Sequence, residues 1–213
     1  MYNDNSEIRD VLTEITGTHW IGVKFHKAKP RGAKLSAPAS FCAAASRSIT
    51  ETKLLRVRSI PCAGAKYAFN APGAKAPALA AFIPARLSKL IDPEAQVSGA
   101  PRLLFSPEYV SFNLPGGADL YLSFMLNESA NELAQAWSAM TGKKLDLQLT
   151  GVMSFCSEGA AAALNGKKPS FSLGCARSIK AAELQGQVCV CLGEGNAARF
   201  VRAWRQAPAG AAV

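Results

Sequence analysis

The chain alternates between stretches with helical hydrophobic spacing and stretches in which apolar and polar residues alternate. Apolar residues spaced i, i+3, i+4 and i+7, or Ala-rich runs, predict helices at 8–15, 41–50, 62–69, 133–140, 158–164 and 197–204. Two-residue alternation and short apolar runs predict strands at 20–25, 54–59, 103–105, 109–114, 120–126, 145–149, 171–173 and 188–192. Ser129 and Glu132 have the spacing of a capping box, which predicts the start of the 133–140 helix.

Interleaved helices and strands predict an α/β or α+β fold in which helices cover a sheet. At 213 residues and 49% hydrophobic content, the chain can bury one sizeable core, which excludes disorder. We therefore expect a single mixed-sheet domain over residues 1–213. No run approaches the ~20 apolar residues of a membrane span, and the N-terminus is acidic rather than apolar, unlike a signal peptide. A cytoplasmic protein is expected, without membrane association.

Comparison of the chain with itself indicates a weak internal duplication. The tripeptide Ser-Phe-Cys occurs twice, ending at Cys42 and at Cys156, and a Cys-Ala step follows each, at Cys62 after 19 residues and at Cys175 after 18 residues. In each unit the first cysteine opens an Ala-rich stretch, and basic residues lie between the two cysteines. These shared features predict repeat units at about 20–70 and 120–180.

Two such units packed about a pseudo-two-fold axis would bring together the thiolates of Cys42, Cys62, Cys156 and Cys175. Four thiolates are the ligand set of an iron–sulfur cluster or of a tetrahedral zinc ion. The wide spacing favours a four-iron, four-sulfur ([4Fe–4S]) cluster, because structural zinc sites usually use close C-x2-C pairs. Zinc is the less favoured cofactor. Cysteines of Ala-rich helices are also common as small core residues, so a metal-free interpretation stays open.

Cys189 and Cys191 differ from these four, because alternation places both on one face of the predicted 188–192 strand. Burial in the core is the favoured interpretation. A role as replacement ligands or as a redox pair is the alternative.

Several short motifs, in the same order over nearly the whole chain, resemble an uncharacterised bacterial and archaeal family. They are Ile21-Gly22-Val23-Lys24-Phe25, Phe41-Cys42, Cys62-Ala63-Gly64-Ala65, the apolar strand after Asp119, Ser154-Phe155-Cys156 and Gly174-Cys175-Ala176-Arg177. The family is catalogued as domain of unknown function 169. It has no settled activity, so the resemblance implies no catalytic residues, and its occurrence, largely among anaerobes, is compatible with an oxygen-sensitive cluster. Cys189 and Cys191 lie outside its pattern.

The net charge of +9 reflects few acids, since Lys and Arg number 24 and Asp and Glu 15. We expect Lys24, Arg56, Lys66 and Arg177 near the thiolates, where cations offset the negative charge of a cluster or hold an anionic substrate. Aromatic residues scarcely interleave with the basic residues of 24–34, so nucleic-acid binding is not expected.

A second motif, Gly193-Glu194-Gly195-Asn196-Ala197-Ala198, imitates the dinucleotide fingerprint G-x-G-x-x-A between a strand and a helix. Only 15 residues follow Ala198, too few for the second strand and the acid that binds ribose. We interpret these glycines as a tight strand-to-helix turn, with nucleotide binding less favoured.

These patterns predict an iron–sulfur protein that serves electron transfer with a redox partner protein or activates a small anionic ligand. One alternative is a metal-free ligand-binding or accessory module whose cysteines are core residues. Another is a thiol-dependent enzyme in which a cysteine pairs with His26. Whether the protein is an enzyme, and its oligomeric state, do not follow from the sequence.

Overall fold

The predicted alternation of helices and strands is confirmed in the computed structural model, which describes residues 5–75, 99–144, 153–166, 168–174 and 183–206. The helices are α1 (Asn5–Thr16), α2 (Phe41–Arg47), a 3-10 turn (Val57–Ser59), α3 (Ala63–Ala68), α4 (Asn127–Thr141), a π-helix (Phe155–Ala161), α5 (Ala162–Gly166) and α6 (Glu194–Gln206). The strands are β1 (Trp20–His26), β2 (Lys53–Arg56), β3 (Tyr109–Phe112), β4 (Leu120–Leu126), β5 (Ser170–Ser172) and β6 (Gln187–Gly193). Together these elements form one mixed α/β domain.

The six strands form one sheet in the order β2-β3-β1-β4-β6-β5, and each pair of neighbours is antiparallel. The chain passes from β1 through α2 to β2 and later inserts β3 between them. It passes likewise from β4 through the π-helix to β5 and later inserts β6 between them. The two halves of the sheet therefore have the same strand connectivity about the central β1–β4 pair. Such an arrangement would follow from the duplication, which itself stays a prediction.

Each face of the sheet is covered by a different set of helices. On one face α2, α3 and the π-helix cover alternate residues of β1, β4 and β6, including Cys189 and Cys191; we call this the thiol face. On the opposite face α1, α4 and α6 pack on the intervening residues, among them Trp20, Tyr121 and Val190. This division follows from the two-residue period of the strands, in which successive side chains point to opposite faces.

Some predicted elements and boundaries are wrong. The predicted 54–59 strand ends at Arg56, and residues 57–59 form a 3-10 turn. Residues 103–105 are not a strand, because Leu103 donates its N–H to Ala68 O at 2.8 Å and Leu104 is 85% exposed. The capping box does not form either, since α4 begins at Asn127, directly after β4, with no side-chain cap. The helix nevertheless ends as predicted, with Gly142 as a left-handed C-cap at φ 65°. The predicted 145–149 strand lies outside the described residues.

The second Ala-rich helix starts earlier than predicted and with a wider turn. Gly159 donates its N–H to Ser154 O at 2.8 Å, a bond that spans five residues and defines a π-helix. All seven residues of this segment are buried. Within the described ranges, no helix combines the length and apolar character needed to cross a membrane.

Candidate functional site

Cys42 lies in the first turn of α2, as predicted for the cysteine that opens this helix. The Ser40 hydroxyl caps the helix by accepting the N–H of Ala43 at 3.2 Å, and Cys42 Sγ donates to the same hydroxyl at 3.7 Å. The preceding Phe41 is buried and packs its ring on Phe112 of β3, with centroids 5.4 Å apart. These contacts fix the start of the helix on the thiol face and leave Cys42 8% exposed.

Cys156 has the equivalent place at the start of the π-helix. Its Sγ donates to Met153 O at 3.3 Å, and the residue is 7% exposed. The preceding Phe155 packs its ring edge-on against Phe124 of β4, with centroids 5.2 Å apart. Both Ser-Phe-Cys segments thus bury the phenylalanine as an anchor and place the cysteine in a first helical turn.

Cys189 and Cys191 are fully buried beneath the π-helix, and their Sγ atoms lie 3.8 Å apart. A Cβ on Gly159 would stand 3.3 Å from Cys191 Sγ and 3.8 Å from Cys189 Sγ, so the glycine backbone packs directly on this pair. Burial raises the pKa of the Cys189 thiol well above its ordinary value, and Cys191, Cys42 and Cys156 each raise that pKa further. Cys42 and Cys156 thus belong to the same core cluster as Cys189 and Cys191, on the thiol face.

The predicted ligand set is only partly described. The structure places Cys42 and Cys156 close to the strand pair. Cys62 is the N-cap residue of α3; it is partly exposed and packs against the same core, with no side-chain capping bond. Cys175 lies outside the described residues. Among the residues that the structure does describe, no group of three Cys, His, Asp or Glu side chains is placed to hold a metal ion.

The proximity of Cys189 and Cys191 to Cys42 and Cys156 is the feature that the sequence did not predict. Alternation along residues 188–192 predicts that both thiols share one face, which is confirmed. Which helices cover that face depends on the position of β6 beside β4, and this long-range pairing has no local sequence signal.

Two of the cations expected near the thiolates lie on the other face of the sheet. Lys24 stands between Val23 and Phe25, whose side chains belong to the core of the thiol face, so Lys24 projects to the opposite face. Arg56 follows Leu55, another residue of that core, and by the same alternation also projects away. Lys66 lies on α3, and Arg177 is outside the described residues.

His26 is likewise on the face opposite the thiols. Its Nε2 lies 2.8 Å from Ser111 Oγ on β3, a hydrogen bond within that face. Burial lowers the pKa of His26, and the charge of Lys24 lowers it further, while Asp119 opposes them. The sheet therefore separates His26 from Cys42 and Cys156, and the cysteine–histidine pair of a thiol-dependent enzyme does not form there.

No family model matches the chain, and comparisons with curated proteins and with solved structures likewise found no match. The resemblance to the uncharacterised family stays a prediction.

Proposed function

We propose that this protein binds one [4Fe–4S] cluster through Cys42, Cys62, Cys156 and Cys175 and uses it for electron transfer or to activate a small anionic ligand. The observation that carries the proposal is the placement of Cys42 and Cys156. They are 114 positions apart in the sequence, yet they open two helices that contact each other on the same face of the sheet, and both residues belong to one core cluster.

Cys62 supports the same site because α3, which it caps, also contacts the π-helix that carries Cys156. Three of the four proposed ligands thus lie at the starts of three neighbouring segments. Separated segments of this kind are compatible with thiolate ligation of an iron–sulfur cluster, which requires no close ligand pairs. Cys175 would complete the set from the chain after β5.

The buried pair Cys189 and Cys191 fits a cubane less well. Gly159 lies directly over the pair, where a Cβ would stand 3.3 Å and 3.8 Å from the two sulfur atoms, so a cluster could reach them only if the π-helix moved away from the sheet. We therefore assign the two residues to packing, and they offer a matched control for the ligand variants because they lie in the same core.

The first experiment is anaerobic reconstitution of the full chain with iron and sulfide. We expect a brown protein with about four irons per chain, the stoichiometry of one cubane cluster. An electron-transfer role requires that the cluster then accept one electron from a reductant and pass it to a redox partner protein. A colourless, iron-free protein, or stoichiometric zinc binding with no iron–sulfur chromophore, would overturn the proposal.

The second experiment assigns the ligands. Cys42→Ser, Cys62→Ser, Cys156→Ser and Cys175→Ser should each lose most of the bound iron and its visible absorption, whereas Cys191→Ser should keep both. Far-UV circular dichroism of each variant separates loss of the cluster from loss of the fold. If Cys191→Ser loses the chromophore while Cys62→Ser retains it in a folded protein, the ligand assignment is wrong.

A metal-free ligand-binding module is the second candidate function. A cavity of about 960 Å³ at the start of α6 favours it, within the size range of small-molecule sites. Iron analysis separates the two functions, because a module of this kind would bind its ligand without a cluster.

A further inference from the structure

The cavity at the start of α6 is lined by the Gly-x-Gly segment that follows β6. Gly193 pairs with Leu120 as the last residue of the strand, and Glu194 donates its N–H to Asp119 O at 3.0 Å. The first four N–H groups of a helix have no acceptor within the helix. The Asp119 carbonyl takes the first of them, and the next two, of Gly195 and Asn196, belong to residues that line the cavity.

The side chain of Asn196 is an independent sign of a ligand. It lines the cavity and is only 9% exposed, yet its amide group has no hydrogen-bond partner among the described residues. The residue is largely buried and its amide faces the cavity, where such a group normally finds a hydrogen-bond partner. A bound molecule with oxygen atoms would supply the missing partner.

Charged side chains surround the same opening. Arg199 lies one helical turn after Asn196, and Lys27 reaches the cavity from the end of β1; neither forms an ion pair with a described acid. Two acids also line the cavity: Asp119, whose Oδ2 accepts the N–H of Phe25 at 2.8 Å, and Glu194. The cations and amides suit an anion, and the carboxylates can accept hydrogen bonds from ligand hydroxyl or amino groups.

The remaining wall is apolar and open to solvent. Leu104 is 85% exposed and Phe105 is 39% exposed, and both line the cavity. Large exposed apolar side chains beside a polar cavity are typical of a site whose ligand has an apolar part. An aromatic ring such as that of Phe105 can stack on a flat ring of the ligand.

We propose that this cavity binds a nucleoside monophosphate, with the phosphate at the Gly195 and Asn196 amides beside Arg199 and Lys27, and the flat base against Phe105 and Leu104. The site is not that of the dinucleotide fold, because β6 pairs only with antiparallel neighbours among the described strands. The proposal does not depend on the metal centre, and it holds whether or not a cluster is bound.

Calorimetric titration of the full chain with adenosine 5′-monophosphate tests it, with inorganic phosphate and adenosine as separate arms. We expect the nucleotide to bind at least about tenfold more tightly than either part alone, since the phosphate and the base contact different walls. Undetectable nucleotide binding at millimolar concentration would overturn the proposal. Inorganic phosphate that binds as tightly as the nucleotide would also overturn it, because the apolar wall would then play no part.

Two arginines on α6 provide a matched pair of variants. Arg199→Gln should weaken nucleotide binding by about tenfold, the effect of one lost charge-assisted hydrogen bond. Arg202→Gln makes the same change of charge one turn along, at an exposed residue that does not line the cavity, and should change the affinity by less than about twofold. Equal losses in both variants would show non-specific attraction of anions and contradict the proposed site.

Discussion

The two halves of the sheet share one strand connectivity but fill the space above it in different ways. In the first half the edge strand is β2, whose Lys53 and Leu55 pair with Phe112 and Val110. In the second half the edge strand is β5, whose Ser170 and Ser172 pair with Cys191 and Cys189. A large ring and an aliphatic side chain in one half thus correspond to two thiols in the other. In the first half, α2 packs on the bulky side chain of Phe112. In the second half, the π-helix places the backbone of Gly159 over the small side chains of Cys189 and Cys191. The same strand connectivity thus accommodates both kinds of packing.

The largest loss of stability is expected at Phe112, the buried ring of the first half. Phe112 is fully buried and packs on Phe41, so Phe112→Ala should lower the free energy of unfolding by about 3–5 kcal/mol. The corresponding Cys191→Ala removes one sulfur atom and should cost about 1–2 kcal/mol. Urea denaturation, with equal m-values checked for both variants, measures the two losses. Losses of equal size would mean that the two positions are not differently packed.

An intermediate effect is expected at Gly159, where the second half has no room for a side chain. Gly159→Ala would place a Cβ 3.3 Å from Cys191 Sγ and 3.6 Å from Ser154 O. Overpacking of this kind costs about 1–3 kcal/mol, which outweighs the roughly 0.5–1 kcal/mol that alanine gains over glycine in a helix. We expect net destabilisation by thermal or urea unfolding.

A double variant identifies the contact responsible. If the Cys191 sulfur causes the loss, Gly159→Ala combined with Cys191→Ala should be less destabilised than the sum of the two single variants. Gly195→Ala is the control, because a Cβ there meets nothing within 4 Å and this variant should show no overpacking loss. Additive losses in the double variant would contradict the proposed packing on Cys191.

The smallest effect concerns the face opposite the thiols. There the first half carries His26 and Ser111, while the second half presents apolar residues such as Met125 and Val190. Folding lowers the pKa of His26 below its value in the unfolded chain. At a pH between the two pKa values the unfolded chain therefore binds more protons than the folded protein. The free energy of unfolding should accordingly fall as the pH drops below about 6.5.

His26→Gln should remove that part of the pH dependence. Unfolding free energies of the protein and the variant, measured between about pH 7.5 and pH 5, should converge as the pH falls, since only the protein with His26 takes up the extra proton on unfolding. A difference that stays constant over this range would contradict the expectation.

Much of the fold could be predicted from the chain because its strands are half-buried and alternate cleanly. The limits of β4 match the prediction at both ends, Leu120 and Leu126. The π-helix could not be predicted, because the apolar residues of 155–164 fit a 3.6-residue period equally well. The apolar run at 103–105 is not a strand, because Leu103 donates its backbone N–H to Ala68 at the end of α3 instead of to a neighbouring strand.

For the candidate site, the sequence predicted the placement of Cys42 and Cys156 at helix starts because each cysteine precedes an Ala-rich run. A buried phenylalanine anchors both segments, whereas a serine side chain caps the helix at Ser40 but not at Ser154. The prediction that Lys24 and Arg56 lie near the thiols was wrong. Whether a cation and a thiol share a face of the sheet depends on which face the helices between the strands cover, and the local sequence does not show this. The cavity at α6 had a visible signal in Gly193 and Gly195. Its apolar wall, from residues 104 and 105, could be assigned to it only after folding.

Both long helices that follow a strand begin without a connecting loop: β4 ends at Leu126 and α4 starts at Asn127, and β6 ends at Gly193 and α6 starts at Glu194. The first amides of α6 are therefore held by the sheet on one side and by the Asp119 carbonyl on the other. Such a site is preorganised, so a ligand would lose its own freedom on binding but would require little ordering of the backbone. We accordingly expect association at this cavity to be a single fast step, with no slow conformational phase in stopped-flow measurements.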